Sequence, residues 1–265
     1  MRLSAALVAL ASFASHAELC DTRIDPAVPD DIRARGEIRI GTTGDYAPFS
    51  FLAGDERRGI DVEIGSRLAR DLGVRLTWVT TSWPTLVADL DAGRFDVAIS
   101  GISVTDERRA HGCFTDAYVA TGKTVLARCI SAERFTSLEA IDREGVRVIV
   151  NPGGTNARFV DANITHATIV RHAENVTIFA ALAEGAADLM ITDAVEAAQV
   201  ARADPRLCAP IPNTFFERVS KAFYVPARAA WRNWLQEWLE ARRDDGMLAE
   251  TLAHYDLTPA ASAVP

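Results

Sequence analysis

Two acidic residues lie three positions apart in the segment ITDAVEAAQV, residues 191–200. If this segment opens a helix, Asp193 and Glu196 share one helical face, because residues i and i+3 are neighbours there. One carboxylate in this position binds a cationic ligand group, while burial and the charge beside it push a second carboxyl group toward its neutral form. Such a pair can make Glu196 a buried proton donor. Taken alone, the spacing favours the alternative, in which Glu196 is a solvated helix residue that supports Arg202 or its neighbours.

The periodicity of apolar residues places this acidic pair in a chain of alternating strands and helices. The predicted strands span residues 36–43, 74–81, 94–101, 123–129, 146–153, 167–173, 187–193 and 221–226. The predicted helices span residues 59–73, 82–93, 137–145, 154–163, 175–186 and 229–246, with Ser82 as a candidate N-cap and with Trp231 and Trp238 on an apolar stripe of the last helix. Such alternation favours the α/β class with largely parallel sheets, and its restart after residue 122 indicates two lobes.

The composition indicates an acidic, exported protein with a sizeable core. The 265 residues carry a formal net charge of −8 and are 49% hydrophobic, which suits one large or two modest domains. An acidic chain repels nucleic acid and anionic lipid, so we expect neither as a partner, although a local basic cluster still permits a small anionic ligand. Residues 1–17 are typical of a secretory signal peptide. Their apolar run is shorter than the roughly 20 residues that span a bilayer, so we predict no membrane insertion.

The cysteines and histidines argue against a metal or redox centre. Cys20, Cys113, Cys129 and Cys208 include no C-x-x-C spacing, so neither a zinc site nor a thioredoxin-like motif is indicated. Four cysteines in an exported protein form disulfides by default, and three pairings are open. The five histidines show no ligand spacing, and we expect no metal.

Several strings, in order, resemble the periplasmic amino-acid-binding proteins of ABC transporters. They are GTTGDYAPFSF, GIDVEIGSRLARDLG, FDVAISGISVTDERRAHGCFTDAYVATGKT, NPGGTNARF and ADLMITDA. The resemblance implies a type II periplasmic binding protein fold, in which two lobes, each a mostly parallel sheet flanked by helices, are joined by two crossing strands at a hinge. It implies a signal peptide at 1–17, lobe one at 18–122 plus 220–265, and lobe two at 123–219.

The same resemblance bears on the disulfides, because Cys129 and Cys208 fall near the outgoing and returning crossings of the chain. It therefore implies that these two residues are paired. Cys20 and Cys113 are then either a second pair or two free thiols.

A narrower set of strings resembles one catalytic branch of that family, the cyclohexadienyl dehydratases. TSWPTL, IVNPGGTN and the ADLMITDAVEA segment with its second acid are the more specific pieces. The resemblance implies a periplasmic carbon–oxygen lyase that converts prephenate to phenylpyruvate or arogenate to phenylalanine without a cofactor. Both substrates are small molecules with two carboxylates, that is, small dianions. Two alternatives are an amino-acid-binding protein of an ABC transporter and a non-catalytic sensor domain. Oligomeric state, including a homo-oligomer, and the choice between the two substrates are left open.

The resemblance assigns roles to three catalytic residues and two binding residues. Glu196 is the general acid, Lys123 orients the substrate, and Asn151 bonds the hydroxyl or its leaving water. Arg108 completes a Thr-x-Glu-Arg element and clamps a substrate carboxylate with two hydrogen bonds, with Arg109 as the alternative. Asp193 holds the arogenate ammonium or orients neighbouring residues. The other expected substrate-binding residues are Asp45, Tyr46, Trp83, Ser100, Ser103, Gly154 and Thr155, with Phe49 as a further candidate wall.

Two of these groups have a physical rationale of their own. Gly154 and Thr155 read as a helix start whose backbone amides attract an anion. Ser100 and Ser103 end a strand at the carboxyl edge of a sheet, where α/β folds bind ligands. The aromatic rings of Tyr46 and Trp83 would exclude water from a flattening substrate ring.

Overall fold

The computed structural model describes Cys20 and residues 27–260. The predicted signal peptide lies outside these residues. The described chain up to Phe114 contains, in order, α1 (Asp30–Arg35), β1 (Glu37–Thr42), β2 (Asp45–Tyr46), β3 (Ser50–Ala53), β4 (Glu56–Arg58), α2 (Ile60–Leu72), β5 (Arg75–Thr80), α3 (Leu86–Asp91), β6 (Val97–Ala98), α4 (Asp106–Arg109) and β7 (Gly112–Phe114).

The rest of the described chain continues the alternation. It contains β8 (Val119–Arg128), a 3-10 turn (Ala132–Arg134), α5 (Leu138–Ile141), β9 (Arg147–Val150), α6 (Thr155–Asn163), β10 (Thr168–Arg171), α7 (Asn175–Ala183), β11 (Leu189–Asp193), α8 (Ala194–Ala203), β12 (Leu207–Cys208), β13 (Glu217–Lys221), β14 (Tyr224–Pro226), α9 (Ala229–Asp244) and α10 (Met247–Ala253). None of the helices in residues 27–260 is long and apolar enough to cross a membrane.

Two mixed sheets form the cores of two lobes. The lobe-one sheet has the order β5-β1-β6-β14-β7, with β1 parallel to β5 and β6 and with β14 antiparallel to its neighbours. The lobe-two sheet has the order β10-β9-β11-β8-β12, with β9 parallel to β10 and β11, while β11, β12 and β13 all pair with β8 in antiparallel fashion. The α/β class is confirmed. Each sheet contains parallel strands and, beside them, strands that run antiparallel, so both sheets are mixed.

The lobes are linked by the antiparallel pair β8 and β13. Their register places Thr121 opposite Val219 and Lys123 opposite Glu217. The prediction of one strand over 221–226 is wrong, because β13 ends at Lys221 in one sheet and β14 begins at Tyr224 in the other. The chain changes sheets between them, and this break places Lys221 at the junction of the lobes.

The helices that were predicted from long apolar stripes lie where the spacing of apolar residues places them. Ile60, Ile64 and Leu68 of α2 are fully buried against the lobe-one sheet, and Gly73 ends the helix with a left-handed φ of 68°. On α9, Trp231 and Trp238 are buried in the same core, as predicted. Burying such a stripe is the main stabilising contribution of an amphipathic helix.

The start of the second predicted helix, at residue 82, is less accurate. α3 begins at Leu86, so Thr85 and not Ser82 is its N-cap residue, and neither side chain caps it. Instead the hydroxyls of Ser82 and Thr85 bond to each other at 2.8 Å within the preceding turn. This local bond stabilises a turn where the first helical residues were predicted. Hydrogen bonds of Ser and Thr side chains often stabilise such a turn at the expense of the helix.

Two disulfides lie within the lobes. Cys129 and Cys208 are joined, with Cα atoms 4.9 Å apart, which fixes β12 to the end of β8. Cys20 and Cys113 form the second bridge, so of the two alternatives left open for this pair the structure contains the disulfide.

Candidate active site

A cavity lies between the two lobes at the carboxyl ends of their strands. Both lobes and the β13 crossing contribute to its walls. The lining residues are Tyr46, Trp83, Gly101, Ser103, Asn151, Gly154, Thr155, Asn156, Asn175, Asp193, Glu196 and Lys221.

Asp193 is the electrostatic centre of this cavity. It ends β11 and is the N-cap residue of α8, so its side chain leaves the sheet edge beside the first helical turn. Oδ1 accepts from Lys123 Nζ at 2.8 Å, Oδ2 accepts from Lys221 Nζ at 2.7 Å, and the Tyr46 hydroxyl also donates to Oδ2. Burial by itself would raise the pKa of Asp193, but the two lysines outweigh it and hold that pKa well below its usual range.

Lys123 lies behind the cavity wall. It stands opposite Asp193 in the β8–β11 register and is fully buried. Its ammonium donates to Thr155 Oγ1 at 2.9 Å, to Asp193 Oδ1 and to Asn156 Oδ1. A lysine has three N–H donors, so none is left for a substrate. In this geometry Lys123 fixes three groups of the cavity wall, and its predicted role in orienting the substrate stays a prediction.

Glu196 lies one turn into α8 and is 2% exposed. Its Oε2 accepts from the Thr192 hydroxyl, while Oε1 is buried and has no hydrogen-bond partner among the described residues. Burial raises the pKa of Glu196 to about 8; the Thr192 hydrogen bond lowers it and the charge of Asp193 raises it further. The side chain is therefore a neutral acid at pH 7.

A short hydrogen-bond series ends at one oxygen of Glu196. Lys123 is only a donor, so it binds Asn156 through Oδ1 and directs Asn156 Nδ2 to Thr192 Oγ1 at 3.0 Å. The Thr192 hydroxyl in turn donates to Glu196 Oε2. Oε1 is left as the oxygen of Glu196 without a partner among the described residues.

The remaining lobe-two wall consists of amides and a helix start. Asn151 follows β9 and is 5% exposed, and its buried Oδ1 has no partner within residues 27–260. Gly154 and Thr155 form the start of α6, with Gly154 as its N-cap residue. These predicted residues are brought together with Asp193 and Glu196 around one cavity.

The lobe-one wall is aromatic and closely packed. The Tyr46 ring meets the Trp83 ring edge-on, with centroids 5.6 Å apart. Gly101 has a left-handed φ of 60°, and a Cβ there would lie 2.6 Å from Tyr46 Cε1. Any side chain at position 101 would therefore displace this wall. Phe49 is fully buried behind Tyr46 and does not line the cavity.

Arg108, and not Arg109, is the buried arginine of its segment, at 2% exposure. Its guanidinium donates to the Ser103 carbonyl at 2.8 Å and lies 6.0 Å from the Trp83 ring centroid. Arg108 does not line the cavity in this structure, so the predicted clamp stands behind the wall that Ser103 and Trp83 form. Burial lowers the pKa of Arg108 to about 10, which keeps it cationic at pH 7.

Two further predicted binding residues also lie outside the cavity lining. The Ser100 hydroxyl accepts from the Thr43 amide at 3.1 Å, so it holds two loops of lobe one together. Asp45 accepts from Trp83 Nε1 at 3.1 Å through its side chain and from Asn175 Nδ2 at 2.7 Å through its carbonyl. The hydrogen bonds of both residues are therefore made with other residues of the protein. Those of Ser100 lie within lobe one, and one of those of Asp45 joins the two lobes.

The two lobes touch at the mouth of the cavity. Asn175 of lobe two bonds to Asp45 of lobe one, and Arg158 of lobe two pairs with Glu107 of lobe one. Gly153, with a φ of 83°, approaches Pro84 so closely that a Cβ would lie 2.5 Å from its Cγ. The two lobes are therefore in direct contact beside the cavity.

Lys221, Asn156, Thr192, Asn175 and Gly101 contribute to the site and were not predicted. Lys221 is 1% exposed, and it was interpreted only as the first residue of a strand. A lone lysine beginning the apolar segment KAFYV at the return crossing is the signal that identifies it. Among the described residues no group of three or more His, Cys, Asp or Glu is placed to hold a metal ion.

The chain matches the model of the bacterial extracellular solute-binding proteins, family 3, over residues 38–258. The chain belongs to this family. Cyclohexadienyl dehydratase of Pseudomonas aeruginosa is 43% identical to it over 227 residues, which are 85% of this chain and 85% of that protein. The family assignment and the two-lobe fold predicted from the sequence are thereby confirmed.

Two solved structures of family relatives are also similar. The ancestral amino acid-binding protein AncCDT-1, a precursor of cyclohexadienyl dehydratase, is 30% identical, with a TM-score of 0.78, and covers 85% of this chain and 98% of its own. The ancestral cyclohexadienyl dehydratase AncCDT-3 is 38% identical, with a TM-score of 0.52, and covers 92% of this chain and 97% of its own. The family thus includes both binding proteins and a dehydratase.

Proposed function

We propose that this chain is a cyclohexadienyl dehydratase, which converts prephenate to phenylpyruvate and arogenate to phenylalanine. The observation that carries the proposal is Glu196, a buried carboxyl group that lines the cavity between the lobes, has an unpartnered Oε1 among the described residues and has its pKa raised to about 8. The relative named cyclohexadienyl dehydratase, at 43% identity, supports it.

The reaction needs one proton donor and a firm hold on the substrate. The proton of Glu196 Oε1 passes to the ring hydroxyl, the C–O bond breaks, and water leaves. The electron pair of the bond to the ring carboxylate enters the ring as carbon dioxide departs, so the ring becomes aromatic. Glu196 then regains a proton from water. A positioned general acid accelerates such a step by about 10²–10⁴-fold, and orientation contributes up to roughly 7–11 kcal/mol more.

Each wall of the cavity has a part in this reaction. The Asn151 amide forms a hydrogen bond with the ring hydroxyl or the leaving water through Oδ1, which has no partner among the described residues. Trp83 and Tyr46 exclude water and face the flattening ring. Arg108, behind the wall, adds positive charge that stabilises a bound dianion.

The charge of the site favours a dianion over a zwitterion. Asp193 is neutralised by Lys123 and Lys221, so these three groups together carry one positive charge. A binding protein for free amino acids needs an open carboxylate for the ligand ammonium. The alternative function, amino-acid binding for transport, is therefore the less supported one.

We further propose that the protein is periplasmic and is exported by residues 1–17. We also assign 18–122 with 220–265 to lobe one and 123–219 to lobe two. The sheets support this division, because β14 returns to the first sheet after β13.

The test is turnover by the purified protein. Prephenate is added and the absorbance of phenylpyruvate is followed; arogenate is added separately and phenylalanine is measured by chromatography. Turnover at rates well above the spontaneous reaction is expected. Absence of turnover with both, together with tight calorimetric binding of a free amino acid, would assign the chain to transport.

A further inference from the structure

The Lys221 ammonium occupies a pocket with the features of a cation-binding site. Nζ donates to Asp193 Oδ2 at 2.7 Å and to Ser103 Oγ at 2.9 Å, and it lies 4.9 Å from the centroid of the Tyr46 ring. A carboxylate, a hydroxyl oxygen and an aromatic face together bind an ammonium strongly where water is excluded. These are the groups that would receive the ammonium of an amino-acid ligand.

The charges of the pocket disfavour a second ammonium. Asp193 accepts three donors, from Lys221, Tyr46 and Lys123. Because two of those donors are full cations, a third cation would meet net repulsion from the cluster at short range. The ligand group that lies nearest Lys221 must therefore be neutral or anionic.

Lys221 also offers a donor to the ligand. Two of its three N–H groups are used by Asp193 and Ser103. The third has no partner among the described residues, and Lys221 lines the cavity. A carbonyl or carboxylate oxygen suits this N–H, whereas an ammonium does not.

Prephenate and arogenate differ only in the group that meets such a position. Prephenate carries a keto oxygen beside its side-chain carboxylate, and arogenate carries an ammonium there. We propose that Lys221 is a specificity-determining residue that fills the ammonium pocket of this site, so that the enzyme prefers prephenate to arogenate. This inference rests on the proposed function for its substrates and concerns the selectivity of the same cavity.

The first experiment needs no variant. The specificity constant kcat/KM of the wild-type protein is measured for prephenate and for arogenate, and prephenate is expected to be favoured by about tenfold or more, the factor of one charge-assisted hydrogen bond. Equal constants, or a preference for arogenate, would overturn the inference.

The Lys221→Met variant then opens the pocket while Asp193 keeps its bond to Lys123. The ratio of the two specificity constants is expected to move toward arogenate by about tenfold or more, because Asp193 Oδ2 becomes available to the arogenate ammonium. An unchanged ratio contradicts the inference. A thermal unfolding scan of the variant shows that its fold is retained.

The Lys221→Met/Asp193→Asn double variant is the matched control. It lacks both the lysine and the carboxylate, so any gain for arogenate in the single variant must disappear in it. If the gain persists, it arises from added space and the inference fails.

Binding measurements separate failure of this inference from failure of the proposed function. Calorimetric titration of wild-type protein with phenylpyruvate and with L-phenylalanine should show tighter binding of the keto acid, and Lys221→Met should reduce that difference. Absence of turnover would remove the dehydratase function and leave this binding comparison as the test. L-phenylalanine binding as tightly as phenylpyruvate to wild-type protein would remove the role of Lys221, whatever the turnover.

Discussion

Asp61 of lobe one and Glu196 of lobe two are buried carboxyl groups with raised pKa values, and they differ in what their oxygens contact. In lobe one, burial raises the pKa of Asp61 to about 7, against the effect of hydrogen bonds from Tyr118 and Gly101. Both Asp61 oxygens accept from the Tyr118 hydroxyl, at 2.8 and 2.9 Å, and one also accepts from the Gly101 amide. In lobe two, burial raises the pKa of Glu196 to about 8 and one oxygen has no partner among the described residues.

The comparison shows that burial alone does not make a proton donor for a ligand. Asp61 is an acceptor that fixes Tyr118 and the backbone at Gly101, and it has no oxygen left for another molecule. Glu196 is held by one oxygen only, and the other has no partner among the described residues. A free oxygen on a residue that lines the cavity, and not the pKa, separates the proposed general acid from a structural one.

The same amide substitution at both acids gives the largest contrast. Glu196→Gln removes the transferable proton, so kcat for prephenate should fall by about 10²–10⁴-fold. Asp61→Asn should leave kcat near the wild-type value, because Asn Oδ1 still accepts from Gly101 and Nδ2 donates to the Tyr118 oxygen. Steady-state rates of both variants test this, and a Glu196→Gln enzyme that retains its rate would remove Glu196 from the mechanism.

Truncation of the structural acid should act on stability. Asp61→Ala leaves the Tyr118 hydroxyl and the Gly101 amide buried without an acceptor, at about 1–3 kcal/mol for each donor. Urea unfolding should therefore show a lower midpoint for Asp61→Ala, with Glu196→Gln at or above the wild-type midpoint. A smaller loss for Asp61→Ala than for Glu196→Gln would reverse the assignment of the two acids.

The pH dependence of the rate should follow Glu196. The protonated acid is the active form and its pKa is raised to about 8, so kcat/KM should be constant below that pH and fall about tenfold for each pH unit above it. Burial lowers the pKa of Lys221 to about 8 as well. The Lys221→Met variant separates the two. If Glu196 is the source, the decline persists and moves to higher pH, because the charge of Lys221 lowers the pKa of Glu196; if Lys221 is the source, the decline is lost.

A smaller effect is expected from the residue that positions the acid. Thr192→Val removes the hydroxyl that donates to Glu196 Oε2 and accepts from Asn156, so kcat should fall by roughly tenfold, the effect of one hydrogen bond. That bond lowers the pKa of Glu196, and its loss should move the decline of the pH profile to higher pH. Thr192→Ser should restore both, and a profile that stays in place would show that Thr192 has only a packing role.

Local patterns were sufficient for most of the fold. The stripe of α2 and the tryptophans of α9 determine helices because their spacing requires no knowledge of distant residues. The strand prediction over 221–226 was wrong because the change of sheet depends on pairing with β6, β7 and β8, which are about a hundred residues away in sequence. Short elements such as β2 and α4 carry too few residues to show a period.

The site was predictable where its residues lie in one segment. Asp193 and Glu196 follow one strand, so their proximity follows from helical spacing. The contacts of Lys123 with Asn156 and of Lys221 with Ser103 join residues 33 and 118 positions apart, and no local pattern contains them. The placement of Arg108 behind Ser103 was likewise not predictable, because it depends on the side of the sheet edge on which α4 lies.

Gly153 lies where the two lobes meet, and the packing at this position bears on the burial of Glu196. With Pro84 where a Cβ would fall, position 153 accepts nothing larger than hydrogen if the lobes are to meet. A bulkier residue would force Pro84 or the backbone at position 153 to shift and so loosen this contact between the lobes. Wherever such loosening admits water to Glu196, hydration lowers its pKa toward that of an ordinary glutamate, so the proton of the buried acid depends on how tightly the two lobes meet.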